Sequence, residues 1–292
     1  MNQSVAIAEG KTKRIIPIDA VRVDSKDDIT AGDGAKHDVI KGKAALSTTT
    51  TCNNFALLRH FGIPVAFYGQ DTETSFIAPR CRMLPWEVVV RSKAYGSYLK
   101  RNPGTERGQS FPDGDLCTEL FLKTSNKRWR NYELLADDPL ARILPNGVIL
   151  LFVPDAPDIH GTHFLTLRPH EVHTEERDAM RLDGMRDIAS RAFVILRAAF
   201  KIMGVELVDM KVEFGIDPEG RILLADVIDN DSWRLISQGE HLDKQLYRDG
   251  KPLEKVLENF QAVARMTSQF HLNHRQISDE LHRTQLETYF SA

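Results

Sequence analysis

The most constraining feature of this sequence is the run LVDMKVEFG at 207–215, which alternates apolar and charged residues. Successive side chains of a β-strand point to opposite faces, so one face of this strand would be apolar. The other face would carry a row of charges from Asp209, Lys211 and Glu213. A turn signal, IDPEG at 216–220, and a second apolar run follow directly, which predicts a β-hairpin with one charged face.

The register of this hairpin decides whether its carboxylates meet. A loop centred on Pro218 and Glu219 would place Lys211 opposite Asp226 and would leave Asp226 diagonal to Glu213. Diagonal neighbours are about 7–8 Å apart at the backbone, so two carboxylates there can converge on one magnesium ion. The alternative is an ordinary solvated face of a two-stranded ribbon, on which Lys211 offsets its acidic neighbours.

Composition places the chain among folded globular proteins. It has 292 residues, of which 42% are hydrophobic and 27% are charged. No run approaches the roughly 18 uncharged apolar residues of a membrane span, and the first residues lack signal-peptide features. Three separated cysteines indicate neither a disulfide framework nor a zinc site. We therefore expect a cytoplasmic protein without membrane partners.

Charge argues against nucleic acid as the main partner. The net charge is −3, and the basic residues are dispersed rather than gathered into runs. A site for small anions remains compatible with this distribution, because it needs only a few convergent lysine and arginine side chains.

The N-terminal segment EGKTK at 9–13 contains the GKT that ends a phosphate-binding loop. The first glycine of that motif is missing, since position 5 is Val5, and a strand-like segment follows where the motif requires a helix. What remains is a β-turn that carries Lys11 and Lys13 and could cover nucleotide phosphates. Because exposed lysines are common in surface turns, a solvated turn is the alternative.

Two further segments combine charge with small or polar residues. In the segment 86–103, Arg91 offers a planar fork for an anion, and the pair at 96–97, glycine and serine, permits close approach. Its alternative is an amphipathic element with a solvated basic end. The segment DNDSWRL at 229–235 is either a polar binding loop or a cap and turn.

Two H-x-x-H pairs within 160–173 favour a polar insertion over a zinc site.

Periodicity predicts a chain of mixed helices and strands. Helices are expected at 47–59, 174–204 and 253–270, and strands at 65–68, 75–78 and 86–91. The stretch 124–173 is rich in proline, aspartate and histidine, and apart from a strand at 148–153 the pattern assigns no element there.

Several of these segments resemble, in the same order, the motifs of phosphoribosylaminoimidazole-succinocarboxamide synthases (SAICAR synthetases), the ligases of purine synthesis. The matching motifs are EGKTK (9–13), ITAGDGAK (29–36), GKAALS (42–47), DTETSFIAPRCRMLP (71–85), VVVRSKAYGSYLKRNP (88–103), ELFLK (119–123), LVDMKVEFG (207–215) and LADVIDNDSWRL (224–235). The last motif resembles the version in the synthase half of animal bifunctional enzymes, and nothing in this sequence resembles their carboxylase half.

The resemblance implies an α+β, ATP-grasp-like fold of two lobes, with antiparallel sheets and C-terminal helices. We expect a first lobe at 1–84 with a glycine-rich hairpin over the triphosphate, and a second lobe at 85–292 with the substrate and metal site. The implied reaction joins L-aspartate to carboxyaminoimidazole ribonucleotide (CAIR) and converts ATP to ADP and phosphate, through an acyl phosphate. Phosphoryl transfer between anions requires mainly positioning and charge neutralisation.

The resemblance also implies roles for individual residues. Glu213 and Asp226 would hold Mg2+, and Asp209 and Lys211 would be catalytic, next to the reacting groups. The ATP-binding residues would be Lys11, Lys13, Arg82, Met83, Glu87 and Lys123. The substrate-binding residues would be Arg91, Ser97, Asp231 and Arg234.

The chain departs from the family pattern at three places, and other functions remain open. Residues 124–126 replace acidic or amide residues, Val227 replaces the glutamate of some bacterial members, and Ile236 replaces a common tryptophan. One alternative is a kinase-like relative that phosphorylates a small acid or sugar and needs no aspartate. Another is a nucleotide sensor that binds ATP without turnover. The oligomeric state stays open, with a homo-oligomer among the alternatives.

Overall fold

The computed structural model describes residues 8–17, 20–32, 34–112, 115–157 and 162–283. A first antiparallel sheet has five strands in the order β1-β2-β3-β7-β6. Their bounds are β1 (Ala8–Glu9), β2 (Lys13–Pro17), β3 (Val21–Ser25), β6 (Gly69–Thr72) and β7 (Ser75–Ala78). The turn of EGKTK joins β1 to β2 and is closed by a hydrogen bond of 2.9 Å from the Gly10 N–H to the Lys13 carbonyl.

A second antiparallel sheet has nine strands in the order β14-β13-β12-β9-β8-β15-β17-β18, with β16 also paired to β15. Their bounds are β8 (Arg82–Arg91), β9 (Cys117–Leu122), β12 (Leu140–Ile143), β13 (Ile149–Phe152), β14 (Leu165–Leu167), β15 (Glu206–Ile216), β16 (Ile222–Ala225), β17 (Trp233–Ser237) and β18 (Glu240–His241). Two short ribbons pair β4 (Asp28–Ala31) with β5 (Lys36–Val39) and β10 (Arg128–Trp129) with β11 (Tyr132–Glu133).

Helices cover both sheets. They are α1 (Lys43–His60), α2 (Ser97–Arg101), α3 (Pro169–Val172), α4 (Glu176–Met180), α5 (Leu182–Lys201), α6 (Gln245–Arg248), α7 (Leu253–Thr267) and α8 (His274–Arg283), with a 3-10 turn at Phe270–Leu272. None of the helices in the described ranges combines the length and the apolar character that a membrane crossing requires. The predicted α+β class, with antiparallel sheets and C-terminal helices, is confirmed. The predicted lobe boundary at residue 84 stays a prediction.

The long helix α5 packs against β15 because its apolar residues recur at helical spacing. Met185, Ala189, Phe193 and Phe200 are fully buried on that face, and the apolar face of β15 lies in the same core. The charged face of β15 therefore points away from the main core. This arrangement leaves the row Asp209, Lys211 and Glu213 on the side of the sheet where a cavity forms.

Most predicted elements are present, with shifted ends. The helix predicted at 47–59 is α1, whose threonine run is buried, so packing outweighs the poor helix propensity of threonine. The strands predicted at 75–78 and 86–91 are β7 and part of β8. The strand predicted at 65–68 is wrong. Val65 forms a single bridge to Leu224, and the Tyr68 N–H donates a hydrogen bond to the Ile77 carbonyl. The two ends of the segment therefore pair with different neighbours, and no continuous strand forms.

The acidic hairpin forms, but its predicted register is wrong by one residue. Glu213 lies opposite Ala225 rather than Leu224, because the loop has five residues between Ile216 and Ile222. The extra loop residue is Arg221, which the predicted register pairs with Ile216. It follows Gly220, whose φ of 83° is a backbone conformation that favours glycine. A shift of one residue reverses which face a side chain occupies, so a regular continuation of β16 would turn Asp226 away from Glu213.

Candidate functional site

A cavity of about 830 Å³ opens between the N-terminal turn, the β4–β5 ribbon and the charged face of the nine-stranded sheet. The predicted site residues that line it are Lys11, Lys13, Glu87, Arg91, Lys123, Asp209, Lys211, Glu213, Asp226, Asp231 and Arg234. Residues from distant parts of the sequence therefore meet in one place.

Strand register explains why so many charges share this cavity. Asp209 of β15 lies directly opposite Arg91 of β8 on one side and Arg234 of β17 on the other. Glu213 lies opposite Glu87 in the same way. Residues paired across an antiparallel sheet project to the same face, so three neighbouring strands place their charged side chains side by side.

Asp226 reaches the cavity despite the register of the hairpin. It follows the last residue of β16 and has a φ of 64°, which breaks the strand and redirects its side chain. Aspartate is one of the few residues that tolerate this left-handed conformation. Lys13 donates to the Asp226 carboxylate, and Lys123 donates to both oxygens of Glu213. Each predicted metal ligand thus accepts a hydrogen bond from a lysine of a different element.

The two carboxylates influence each other. Burial, together with the negative charge of Asp226, raises the pKa of Glu213. Burial acts in the same direction on Asp226, but the ammonium groups of Lys13 and Lys123 outweigh it and lower the pKa of Asp226 to about 2. The site therefore concentrates negative charge at Asp226, where cations compensate it.

This donor set suits magnesium. Hard divalent cations prefer carboxylate oxygens, and Mg2+ commonly binds through one or two carboxylates, with nucleotide phosphates and water as its other ligands. Glu213 and Asp226 provide such a pair of carboxylates. Among the residues that the structure describes, no group of three or more histidine, cysteine, aspartate or glutamate side chains could hold a metal ion alone. The remaining ligands would have to come from phosphates and water.

Lys211 lies between two glutamates. Its Nζ is 2.5 Å from Glu87 Oε1 and 3.7 Å from Glu213 Oε1. Burial by itself would lower the pKa of Lys211, but the charges of Glu87 and Glu213 outweigh burial and raise it. Lys211 is therefore a firmly protonated cation, suited to neutralising charge rather than to accepting a proton.

Arg91 and Arg234 share one carboxylate. Arg91 Nη1 donates to Asp209 Oδ2 over 2.7 Å, and Arg234 Nη1 donates to the same oxygen. Only 4% of the Arg91 side chain is exposed. Gly96 touches the second guanidinium so closely that a Cβ there would lie 2.5 Å from Arg234 Nη2. The result is a cationic wall, with both guanidinium groups held at fixed positions.

Asp231 lies close to two lysines, Lys244 and Lys43, that the sequence patterns did not identify as site residues. Lys244 Nζ lies 3.4 Å from Asp231 Oδ2, and the buried Lys43 Nζ lies 3.8 Å from it. Burial acts to raise the pKa of Asp231, but Lys43 and Lys244 lower it. Lys244 and Arg248 also line the cavity, and burial lowers the pKa of both. The charge of Arg248 further lowers the pKa of Lys244, and the charge of Arg234 further lowers the pKa of Arg248. No spacing signal in the sequence connects α6 to the site.

Asp137 and Asp138 also line the cavity, within the stretch that sequence patterns left unassigned. Asp138 has a φ of 43°, and its Oδ1 accepts a hydrogen bond of 2.7 Å from the Thr124 N–H. Burial raises the pKa of Asp138 to about 6, and the charge of Glu87 adds to this shift. The only sequence signal for them was their composition, two adjacent acids after the ELFLK motif.

Three predicted site residues do not line this cavity. Arg82 forms a bidentate ion pair with Asp178, in which both N···O distances are 2.9 Å. Met83 is 45% exposed beside it on β8. Ser97 approaches the site through Arg91, since its Oγ lies 3.5 Å from Arg91 Nη2. The roles of Arg82 and Met83 in ATP binding and of Ser97 in substrate binding stay predictions.

Comparisons with known proteins agree with this architecture. The family model of SAICAR synthetase matches residues 6–132 and 166–267. A phosphoribosylaminoimidazole-succinocarboxamide synthase from Roseiflexus sp. is 35% identical over 280 residues, which cover 91% of this chain and 98% of that protein. The human bifunctional phosphoribosylaminoimidazole carboxylase/succinocarboxamide synthetase is 36% identical over 280 residues, which cover 90% of this chain. This chain spans 58% of the length of that human relative.

A solved structure is also similar. The match is a SAICAR synthetase (Type-2) in complex with ADP, with a TM-score of 0.68 and 28% sequence identity over 89% of this chain and 96% of that chain. The family model leaves out residues 133–165, which include Asp137, Asp138 and the strands β12 and β13. Two residues of the cavity lining, Asp137 and Asp138, thus lie outside the ranges that the family model matches.

Proposed function

The chain belongs to the SAICAR synthetase family, and from this premise we propose that it joins L-aspartate to CAIR in an ATP-dependent ligation that yields SAICAR, ADP and phosphate. One observation carries the proposal. Carboxylates and cations from the N-terminal turn and the nine-stranded sheet meet in one cavity, with Lys13 bonded to Asp226 and Lys123 bonded to Glu213.

The end of the cavity near the N-terminal turn suits the triphosphate of ATP. Lys11 and Lys13 lie on that turn, and a Cβ at Gly34 would lie 3.2 Å from Lys11 Nζ, so the β4–β5 ribbon closes over the same position. Glu213 and Asp226 would hold Mg2+, which supplies charge neutralisation at the phosphates when it is bound. Lys13 donates to Asp226 and Lys123 donates to Glu213, and both lysines would also contact phosphate oxygens.

The end of the cavity near β17 suits the anionic groups of CAIR. Arg91 and Arg234 each offer a planar fork for a phosphate or carboxylate, and their shared partner Asp209 fixes the spacing between them. Asp231, Lys244 and Arg248 form the adjoining wall. Their excess of positive charge fits a reaction in which every substrate is an anion.

The residues fit a two-step ligation. First, the bond from the γ-phosphorus of ATP to its bridging oxygen breaks as a CAIR carboxylate oxygen attacks, which gives an acyl phosphate and ADP. The amine of aspartate then attacks the acyl carbon, the bond from that carbon to the phosphate oxygen breaks, and the nitrogen loses a proton as phosphate leaves. Lys211 stays protonated beside Glu87 and Glu213, so its part is to balance negative charge and to orient groups. Asp209 acts by holding the two guanidinium groups against the substrate.

An omission assay tests the proposal. Purified protein is supplied with magnesium, ATP, CAIR and aspartate, and formation of ADP and of the succinyl product is followed while each component is left out in turn. We expect product only when all four are present.

The alternative functions give different results in the same assay. ADP formation that needs no aspartate would identify a kinase-like relative instead. Tight ATP binding with no turnover in the complete mixture would identify a nucleotide sensor.

A further inference from the structure

Five charged side chains form a continuous chain of ion pairs that extends from the cavity into the protein. In order they are Arg234, Asp209, Arg91, Glu119 and Arg101. The first three line the cavity, whereas Glu119 and Arg101 lie behind it. We propose that Glu119 and Arg101 are positioning residues, which hold Arg91 in the orientation that recognises an anionic group of CAIR. This inference rests on the proposed function.

Glu119 fixes one edge of the Arg91 guanidinium. Arg91 Nε donates to Glu119 Oε2 over 2.8 Å, while Nη1 on the other edge donates to Asp209. The strand register makes this contact direct, because Glu119 lies opposite Val89 of β8 and therefore diagonal to Arg91 on the same face. With both edges occupied, the guanidinium plane cannot rotate, and Nη2 stays directed towards Ser97, 3.5 Å away.

Arg101 in turn fixes Glu119. Its Nη2 donates to Glu119 Oε1, and its Nη1 donates to the Pro154 carbonyl over 2.6 Å. The Arg101 side chain is completely buried, and only 11% of the Glu119 side chain is exposed. Arg101 ends the helix α2, which also carries Ser97. One arginine therefore ties this helix, β9 and the loop after β13 together behind Arg91.

The charges of this chain do not balance. Three arginines face two carboxylates, which leaves an excess of one positive charge, and the cavity end of the chain is where an added anion can compensate it. Two guanidinium groups share a single oxygen of Asp209 there. A substrate phosphate or carboxylate would supply the missing acceptor.

The variant Glu119→Gln distinguishes a positioning role from simple electrostatic attraction, because the two predict opposite changes in the KM for CAIR. Loss of one negative charge makes the region more positive, so attraction alone would strengthen binding of an anion. Positioning predicts weaker binding, since an amide offers one acceptor where two arginines need two. We expect the KM for CAIR to rise about tenfold, with the KM for ATP and kcat changed less than about twofold.

Arg101→Lys provides a second test at constant charge. Lysine has no fork, so it cannot contact both Pro154 and Glu119 in the way that the guanidinium does. Positioning again predicts a higher KM for CAIR and a largely unchanged KM for ATP. Attraction alone predicts no change.

Glu280→Gln is a matched control for burial. Glu280 is a glutamate with 5% side-chain exposure that also pairs with two cations, Lys201 at 2.6 Å and Arg283 at 3.0 Å, but it lies on α8 outside the cavity. Its variant should lower the thermal unfolding midpoint and leave the KM for CAIR unchanged. If Glu119→Gln behaves like this control, or lowers the KM for CAIR, the inference is wrong.

The test also distinguishes failure of the inference from failure of the proposed function. If the unaltered protein neither turns over CAIR nor binds it in calorimetry, the proposed function is wrong. If the unaltered protein is active and Glu119→Gln does not raise the KM for CAIR, only the positioning role is wrong.

Discussion

Asp226 occupies a left-handed backbone conformation one residue beyond the end of β16, with a φ of 64°. Non-glycine residues in this region carry a free-energy cost of order 1–3 kcal/mol, and such residues cluster at functional sites. Here the conformation has an identifiable consequence, because it returns the carboxylate to the side of the sheet that carries Glu213. Asparagine tolerates the same backbone as well as aspartate does, so charge can be removed without disturbing the turn.

We expect Asp226→Asn and Glu213→Gln each to abolish nearly all ligase activity while the fold is retained. Either change removes half of the carboxylate pair that would hold magnesium. Rates of ADP and product formation under saturating substrates measure the effect, and circular dichroism checks the fold.

Asp24→Asn is the control for this pair of variants. Asp24 pairs with Arg22 at 2.8 Å on β3, away from the cavity lining, and its variant should keep full activity. Full activity in Asp226→Asn or Glu213→Gln would remove the metal assignment.

Asp138 should make the protein less stable as pH rises through the weakly acidic range. Its pKa is raised to about 6 by burial and by Glu87, above the unfolded value of about 3.9. The folded state therefore binds more protons than the unfolded state between these values, and stability is lost as pH rises. Asp138→Asn removes this dependence and keeps an oxygen for the Thr124 N–H.

Urea unfolding at pH 4 and pH 7 measures the effect of Asp138. The unfolding free energy of Asp138→Asn, minus that of the unaltered protein, should increase by about 1–2 kcal/mol from the lower to the higher pH. A difference that is the same at both pH values would mean that the carboxyl has an ordinary pKa.

At the scale of elements, β15 organises the site because it pairs with three strands. Its pairing with β8 shifts register between Glu213 and Gly215, so the ladder contains an irregularity next to the predicted metal ligand. At Gly215 the backbone of β15 approaches the segment before β8 so closely that a Cβ would lie 2.5 Å from the Cys81 Cβ. Only a glycine fits there without movement of the segment before β8.

Gly215→Ala should therefore destabilise the protein by about 1–3 kcal/mol, as overpacking does elsewhere. The unfolding free energy in urea measures this change. When combined with Gly215→Ala, Cys81→Gly should restore part of the lost unfolding free energy. Cys81→Ala should restore none of it, because alanine keeps the Cβ that collides.

Gly184→Ala is the matched control in a helix. A Cβ at Gly184 would lie 3.5 Å from Ile222 Cδ1, an ordinary contact, within α5. Alanine is the better helix former by about 1 kcal/mol, so this variant should be as stable as the unaltered protein or more stable. Equal losses in Gly184→Ala and Gly215→Ala would contradict the close approach to Cys81.

At the scale of the whole molecule, the cavity depends on both sheets. Lys13 of the five-stranded sheet bonds to Asp226, which follows a strand of the nine-stranded sheet. The helices α1 and α7 pack against each other and join the N-terminal and C-terminal parts of the chain. A nucleotide bound between the sheets would contact both, so its binding energy would stabilise the entire fold.

We expect magnesium and ATP together to raise the thermal unfolding midpoint, with a gain of about 2.7 kcal/mol at a ligand concentration 100 times the Kd. Lys11→Met should reduce that gain and change the stability of the free protein little, because Lys11 is exposed on the N-terminal turn. Differential scanning fluorimetry with and without the nucleotide measures both quantities.

Lys201→Met is the control for this experiment. Lys201 pairs with Glu280 at the end of α5, outside the cavity, so its variant should retain the full gain from magnesium and ATP. An undiminished gain in Lys11→Met would show that the N-terminal turn does not contact the phosphates.

Local sequence determined the elements and the chemical character of the site. The alternation in LVDMKVEFG specified a strand with one apolar and one charged face, and the apolar repeat after residue 182 specified the helix that covers it. Both follow from the geometry of a single element, where side-chain direction depends only on residue spacing. Of the eleven predicted site residues that line the cavity, seven lie on the strands β2, β8, β15 and β17.

Only the tertiary structure decided which charges meet. Asp231 and the cavity are adjoined by Lys43 of α1, by Lys244 directly before α6 and by Arg248 at the end of α6. These contacts form because distant elements pack there, and no spacing in the chain encodes them. The approach of Asp226 to Glu213 likewise depends on a five-residue loop and a left-handed residue, which together replace the predicted register. Registers and packing contacts are set by the sum of many weak interactions across the whole molecule, whereas the periodicity of a strand or helix is set by its own backbone.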